Sequence, residues 1–543
     1  MKADAGDSLL RRLEELNEIG ISLSREKHTS RLLEAILVAA KKITNADGGT
    51  LYRVDAERGL VHFEILRTDT LDIAMGGTTG VEIPFYPVRL TDTDGRPNSS
   101  MVVAYSVLHG ETVNIPDAYE ARGFDFSGTK NFDRKTGYRS KSFLTVPMKN
   151  HEDEIIGVLQ LINALDRSTG QIVPFSESDQ HLAESLASQA AVALTNRLLI
   201  DQLEDLFESF IGLINAAIDD KSPYTGGHCQ RVPVLTMMLA EAVNRASSGP
   251  LAGFTMSEKD RYELKIAGLL HDCGKVTTPV HVVDKSTKLE TIYDRIHLID
   301  TRFEVIRRDA EVAMLNAKLA ARGDSEAVRR AERDYQARLR QIAEDRAFLL
   351  HANVGSEAMS DADQDRVRQI SRSFRWCDAS GHEADFLTAD EVENLTIRAG
   401  TLTAAERQII NHHIEVTIRM LEALPWPKHL KNVPEYAGGH HERMDGKGYP
   451  RGLTREQMSV QARIMGIADI FEALTAKDRP YKKGKTLSES LQILSRFRAS
   501  GHIDPDLFEV FVRQKVYLEY ARQFLDSEQI DEVNEAQLLG ATE

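Results

Sequence analysis

Two domains of different class joined by a long helix are what the sequence predicts: first an α+β domain built on an antiparallel sheet, then a linker helix, then an all-α domain. Three observations carry this. Short alternating apolar segments punctuated by Gly, Asp and Pro clusters fill the first third. No proline breaks a helical pattern between Leu182 and Ile214. Beyond that point apolar residues recur at helical spacing almost throughout. A length of 543 residues exceeds what one core organises, in agreement with two or more domains.

Taken in order, Leu13, Leu16, Ile19 and Leu23, then Leu32, Leu33, Ile36 and Leu37, have the spacing of a helix pair. The segments GGTLYRV, LVHFEIL, MVVAYSVL, SFLTVPMKN and EIIGVLQLINA follow and are expected to be strands. In the linker, Leu199, Leu203, Leu206, Phe210 and Leu213 fall at the alternating four and three spacing of a heptad seam. Two arrangements suit such a seam: pairing in a homodimer, or packing on its own domain. Further on, Ile296 to Asn353 is so rich in Arg, Glu, Asp and Ala that a solvated helical arm without chemistry is expected.

The composition excludes several classes. A net charge of -16 disfavours a nucleic-acid polymer as partner, because that binding rests on a basic face, while a small anionic ligand in a local positive pocket is still open. No run approaches a membrane span, and the charged N-terminus lacks the apolar core of a signal peptide, so the cytoplasm is the expected location. Cys229, Cys273 and Cys377 are far apart without CxxC spacing, which argues for reduced thiols rather than a disulfide scaffold or structural zinc.

Chemistry is first legible in KIAGLLHDCGKV, where His271 and Asp272 interrupt an apolar helical run; a charge there needs a partner or a metal. Asp469 poses the same problem in ARIMGIADIFEALTA, a helix apolar almost all round. Divalent ions take imidazole nitrogen and carboxylate oxygen, and the adjacent pairs His271 with Asp272 and His440 with His441 suit two ions better than one. If the helix continues past His271, Lys275 shares its face and stands where a substrate phosphate needs countercharge.

In order, PYTGGHCQRV, LLHDCGKV, LTAAERQIINHH, GHHERMDGKGYP and ADIFEALTAKDRPYKK resemble the HD-GYP phosphodiesterases, a subgroup of the HD phosphohydrolases, and GHIDPDLFEVF resembles their C-terminal segment. The likeness covers about 207–292 and 400–523, within an HD-GYP domain expected at 207–525 with a helical insertion at about 296–395 and a tail at 526–543. It implies hydrolysis of the bacterial second messenger cyclic di-GMP to pGpG or on to GMP, at a centre of divalent ions, usually iron or manganese. The implied ligands are His228, His271, Asp272, His413, His440, His441 and Asp469, with Asp272 bridging. His413 lies eleven residues beyond Leu402, as in the family's LTxxE helix, although Ile414 replaces the usual proline; His297 is the rival. Members with a third metal carry a glutamate where this chain has Tyr224, so a dinuclear site is expected.

Cys273 and Glu472 also depart from the pattern without removing a ligand. Lys275 and Asp272 are the implied catalytic residues. Arg443, Tyr449, Arg479 and Lys482 join Lys275 as implied substrate contacts, and the Gly-Tyr-Pro turn is also a contact for diguanylate cyclase (GGDEF) partners. Two rivals stand beside this: hydrolysis of another nucleotide such as cyclic GMP-AMP, and a non-catalytic cyclic di-GMP receptor.

Residues 1–197 resemble a GAF sensor domain, most clearly in FDFSGTKNFDRKTGYRSKSFLTVPMKN and IIGVLQLINALD. FDRKTGYRSKS looks like GAF domains of cyclic-nucleotide phosphodiesterases and adenylyl cyclases, and NALD partly matches their NKFD motif, with Ala164 in place of its lysine. With no cysteine before Cys229, a bilin would lack its thiol anchor. A non-covalent ligand such as a cyclic nucleotide, or a dimerisation role shared with the linker at 182–214, are both open.

Overall fold

The computed structural model describes residues 2–92, 94–222, 227–355, 358–377, 380–477 and 484–540. Its contacts divide the chain between Glu208 and Ser209 into two units.

The first unit opens with α1 (Lys2–Arg25) and α2 (Thr29–Thr44), then β1 (Ala46–Asp55), β2 (Leu60–Thr68), β3 (Ile73–Gly76) and β4 (Val88–Arg89). There follow α3 (Val102–His109), β5 (Val113–Ile115), α4 (Ser127–Thr136), β6 (Phe143–Lys149), β7 (Ile155–Leu165) and β8 (Ile172–Val173), before α5 (Glu177–Lys221). The strands form one antiparallel sheet in the order β3-β2-β1-β7-β6-β5, with β4 on β2 and β8 on β7.

Strand periodicity sends alternate residues to opposite faces. Leu51, Leu144, Val146, Leu159 and Leu161 meet Leu16 and Leu23 of α1, Leu32, Ile36 and Leu37 of α2, and Leu186 and Ala190 of α5. On the other face Tyr52, Val61 and Val158 pack against Val103, while Ile115 and Phe143 pack with Val102 and Phe126. Each such aliphatic side chain contributes about 1.5–3 kcal/mol on burial.

One expected strand is a helix. MVVAYSVL forms α3: its apolar run lacks the polar alternation of a half-buried strand, and Val102 and Val103 of the helix pack with residues of the sheet.

The second unit begins within α5 and continues with α6 (His228–Asn244), α7 (Glu258–Leu270), a 3-10 turn (Cys273–Thr277) and α8 (Val280–Val283). An excursion holds α9 (Ile296–Ala320), α10 (Ser325–Asn353), α11 (Asp361–Ser373), the hairpin β9 (Arg375–Cys377) and β10 (Glu383–Asp385), and α12 (Ala389–Leu395). Then come α13 (Ala404–Glu422), α14 (Val433–Gly438), α15 (Val460–Thr475), α16 (Leu487–Ala499), α17 (Pro505–Arg513), α18 (Val516–Phe524) and α19 (Glu535–Leu539).

The excursion is not a wholly solvated arm. Its base encloses a core of its own around Leu289, Ile299, Phe303, Leu349, Val367, Phe374 and Phe386. Arg302 is tied there to the buried Glu391 by bonds of 2.5 and 2.8 Å. The charge-rich composition belongs to the outer parts of α9 and α10, where Lys318 pairs with Glu332. In the tail, Asp531 takes Ser488 Oγ at 2.5 Å and Leu538 is buried, so 526–540 packs back on the domain.

Candidate metal centre

The centre is assembled from α6, the end of α7, α13, the turn after α14, and α15. Two of these elements begin at capping boxes, Ser257 with Asp260 for α7 and Thr403 with Glu406 for α13. The second gives the LTxxE signature a physical meaning. Glu406 closes the first turn of the helix and receives the buried Lys285 at 2.8 Å, which anchors the start of α13.

α7 stops at Leu270, so His271 and Lys275 do not share an α-helical face as expected. Gly274 is the reason. A Cβ there would lie 2.0 Å from His413 O and 2.6 Å from Thr417 N, and Gly274 N–H donates to Thr417 Oγ1 at 2.9 Å. The chain tightens to let α13 approach, and Lys275 Nζ reaches Asp272 Oδ2 at 2.6 Å instead.

All seven expected ligands converge. His228, His271 and Asp272 offer one donor atom each within 4.8 Å of one another, and so do His413, His440 and His441. Asp272 joins the groups: Oδ2 lies 3.2 Å from His228 Nε2 and 3.3 Å from His271 Nε2, while Oδ1 lies 3.3 Å from His413 Nε2. Asp469 Oδ1 adds an oxygen 3.2 Å from His228 Nε2. His413 is buried, whereas His412 bonds Glu415 on the exposed side of α13 and His297 is exposed on α9.

The hydrogen bonds show what these donors suit. Nδ1 of His271, His413 and His440 lies against the carbonyls of Gly268, Ile410 and Ala437 at 2.7, 2.5 and 2.6 Å. A ring that donates through Nδ1 turns its Nε2 lone pair inward. The Nε2 atoms of His271 and His228 then face each other at 3.4 Å, and those of His441 and His413 at 3.3 Å. His440 Nε2 and Asp272 Oδ1 are buried without a hydrogen-bond partner among the described residues. Converging lone pairs and orphaned buried acceptors are satisfied by cations, so this donor set fits a metal centre.

Electrostatics point the same way. Burial and the neighbouring His271 push His440 down to about 4, and burial with His440 holds His441 well below the usual histidine range, so both offer neutral imidazoles. Burial alone would raise Asp272, but Lys275 and His271 hold its carboxyl well below the ordinary range.

Family models agree with both halves of the molecule. A GAF domain model matches residues 28–194, and two HD domain models match 225–365 and 388–507.

The chain joins a GAF domain to an HD domain.

Among curated relatives it is 38% identical over 116 residues to a cyclic di-GMP phosphodiesterase of Pseudomonas aeruginosa, covering 21% of this chain and 27% of that protein. It is 46% identical over 81 residues to the 3'3'-cGAMP-specific phosphodiesterase 1 of Vibrio cholerae, covering 15% and 19%. It is 30% identical over 205 residues to the dual 3',5'-cyclic-AMP and -GMP phosphodiesterase 11A of Takifugu rubripes, covering 35% and 21%. The matched stretches thus span less than a third of these relatives' own lengths.

Other expected residues of the HD domain have different places. Tyr449 stacks on His441, with ring centroids 4.9 Å apart at 24°. Its turn folds back so closely that a Cβ on Gly448 would lie 2.4 Å from Arg443 N, and the buried Glu442 takes the N–H groups of Arg451 and Leu453 at 2.7 and 2.9 Å. Arg443, an expected substrate contact, is paired with Asp445 at 2.8 and 3.1 Å inside this turn. Arg479, Lys482 and Tyr224 lie outside the described residues.

Sequence reasoning missed two groups. Glu472 bonds His228 Nδ1 at 2.5 Å and Arg231 Nε at 2.7 Å. The signal was its position three residues after Asp469 on the same helix face, as Arg231 stands three after His228. In the GAF domain, Asn163 takes the N–H groups of Lys141 and Ser142 at 2.7 and 3.2 Å and donates to Arg139 O. Asp133 takes Tyr119 and Ser140. These two motif residues therefore brace the loop before β6.

Proposed function

We propose that the chain hydrolyses cyclic di-GMP to linear pGpG at two divalent ions, iron or manganese, held by His228, His271, Asp272, His413, His440, His441 and Asp469, under the control of its GAF domain. The single observation that carries this is Asp272, whose two carboxylate oxygens face two separate groups of histidine donors. Bound divalent ions supply Lewis acidity toward the phosphodiester and lower the pKa of an attacking water. The protein's own part is positional. Backbone carbonyls orient the imidazoles, Glu472 orients His228, and the Lys275 ammonium beside Asp272 meets charge that grows on the phosphate oxygens.

The heptad seam supports a homodimer. Leu203, Phe210 and Leu213 are 64%, 56% and 65% exposed in the single chain, and a partner seam would cover them. Light scattering should give twice the chain mass, and a monomer would sink this part. Among the described residues no helix is long and apolar enough to cross a membrane, in keeping with a cytoplasmic location.

A second substrate is favoured by the similarity to the cGAMP-specific enzyme: cyclic GMP-AMP. Both are tested together by protein purified without oxygen, its iron, manganese and zinc counted, and its turnover of the two nucleotides measured in competition. Turnover of cyclic di-GMP with about two metals per chain is expected. Preference for cyclic GMP-AMP would reassign the substrate, and no turnover at full metal content would refute the enzyme.

A further inference from the structure

A groove of about 700 Å³ opens beside the metal centre, and every element that lines it also carries a residue of the centre. The 3-10 turn runs from Asp272 and Lys275 into Thr277 and Thr278. α13 carries His413 inward and Gln408, Asn411 and Glu415 outward. The Gly-Tyr-Pro turn holds Tyr449 against His441 and supplies the far wall with Pro450. The volume suits one moiety of a small ligand.

The lining has a distinct chemistry. Among the described residues it contains no lysine or arginine; its polar groups are three hydroxyls, two amides, one histidine and one carboxylate, set beside the apolar Ala405, Ile409 and Pro450. A phosphate would be repelled by Glu415, whereas Lys275 and the metal centre offer it countercharge. A neutral, hydrogen-bonding group belongs in the groove. His412 Nδ1 lies 2.8 Å from Glu415 Oε2 on the exposed wall of the groove. An ionised carboxylate only accepts hydrogen bonds. Guanine presents two adjacent donors, N1–H and the N2 amino group, that match its two oxygens. Adenine presents an acceptor at N1 in the same place and is repelled.

Resting on the cyclic dinucleotide reading above, we infer that this groove holds a guanine base of the substrate, with Glu415 as the residue that selects guanine over adenine and Gln408 and Asn411 as further hydrogen-bonding partners.

The experiment compares cyclic di-GMP with cyclic di-AMP, using the metal-loaded full chain and its Glu415→Gln and Gln408→Ala variants. Glu415→Gln presents one donor and one acceptor and is expected to lower the ratio of kcat/KM values, guanine over adenine, by about tenfold or more, with the loss carried by KM for cyclic di-GMP. Gln408→Ala is expected to raise the same KM by a smaller factor. Turnover of the adenine substrate by the same Glu415→Gln sample reports that the fold and metals are intact. An unchanged ratio, or an equal loss on both substrates, overturns the role of Glu415. If the wild-type chain is metal-loaded and turns over neither nucleotide, the phosphodiesterase reading itself fails and the groove assignment with it.

Discussion

Glu472 Oε2 lies 2.5 Å from His228 Nδ1, and Arg231 grips the other oxygen of the same carboxylate. Burial works against ionisation of Glu472, yet His228 and Arg231 hold its carboxyl below the ordinary range. A carboxylate behind a ligating imidazole fixes the ring and raises its basicity, and its loss costs about 10–100-fold in metal affinity. Glu472→Ala should show that loss in a chelator competition; an unaltered affinity would leave Glu472 as packing.

His228 itself is held well above the usual histidine range: burial opposes the charge, but Glu472, Asp272 and Asp469 outweigh it. Its proton must leave before Nε2 can ligate. Metal uptake by the apoprotein should therefore release protons and weaken as pH falls, measured by pH-stat during titration with manganese. Proton-free uptake would count against His228 as a ligand.

Asp272 faces both histidine groups, so Asp272→Ala should abolish hydrolysis and remove metal from both while the GAF domain keeps its thermal transition. Elemental analysis and calorimetry on one sample decide it. Full metal content in the variant would refute a bridging carboxylate.

Gly274→Ala introduces a methyl that would lie 2.0 Å from His413 O, where neighbouring backbone rather than a flexible side chain must move. Overpacking of this kind costs about 1–3 kcal/mol. A lower Tm for the HD domain together with reduced metal content is expected; wild-type stability would mean that α13 stands farther away.

Lys288 is 1% exposed, and among the described residues its ammonium has only Met359 Sδ and Leu395 O as hydrogen-bond partners. Burial lowers its ammonium from 10.5 to about 8, with Asp363 acting weakly the other way. Between those values the unfolded chain binds more protons than the folded one, so the Lys288 contribution makes stability rise with pH across that window. Lys288→Met should remove this rise and stabilise the excursion by about 1–3 kcal/mol at neutral pH. Denaturant titrations at pH 7 and 10 would check both, and a destabilised variant would show that the ammonium is needed.

Much of the site was legible because its residues break the pattern around them. A histidine and aspartate inside the apolar run before Gly274, or Asp469 in a helix apolar on all sides, announce a cost that a ligand must repay. Glu472 stayed unread as a partner, since in the sequence it stands 244 residues from His228. MVVAYSVL was read as a strand, because an uninterrupted apolar run has no period of its own; only the sheet beneath α3 selects the helix. The excursion looked solvated, since charge-rich composition averages over a helix while burial concerns one stripe of it.

By itself the sequence determined the two classes of domain and the linker seam, which rest on local periodicity, and its residue chemistry singled out His271, Asp272, His440, His441 and Asp469, while His228 and His413 were implied only by motif resemblance. Tertiary structure alone decided that Asp272 divides its oxygens between two histidine groups, that Lys275 turns to Asp272 rather than along a helix, and that Arg443 spends its charge on Asp445. Those outcomes depend on how closely α13 approaches the turn at Gly274 and how tightly the chain folds at Gly448, distances that spacing along a chain does not encode.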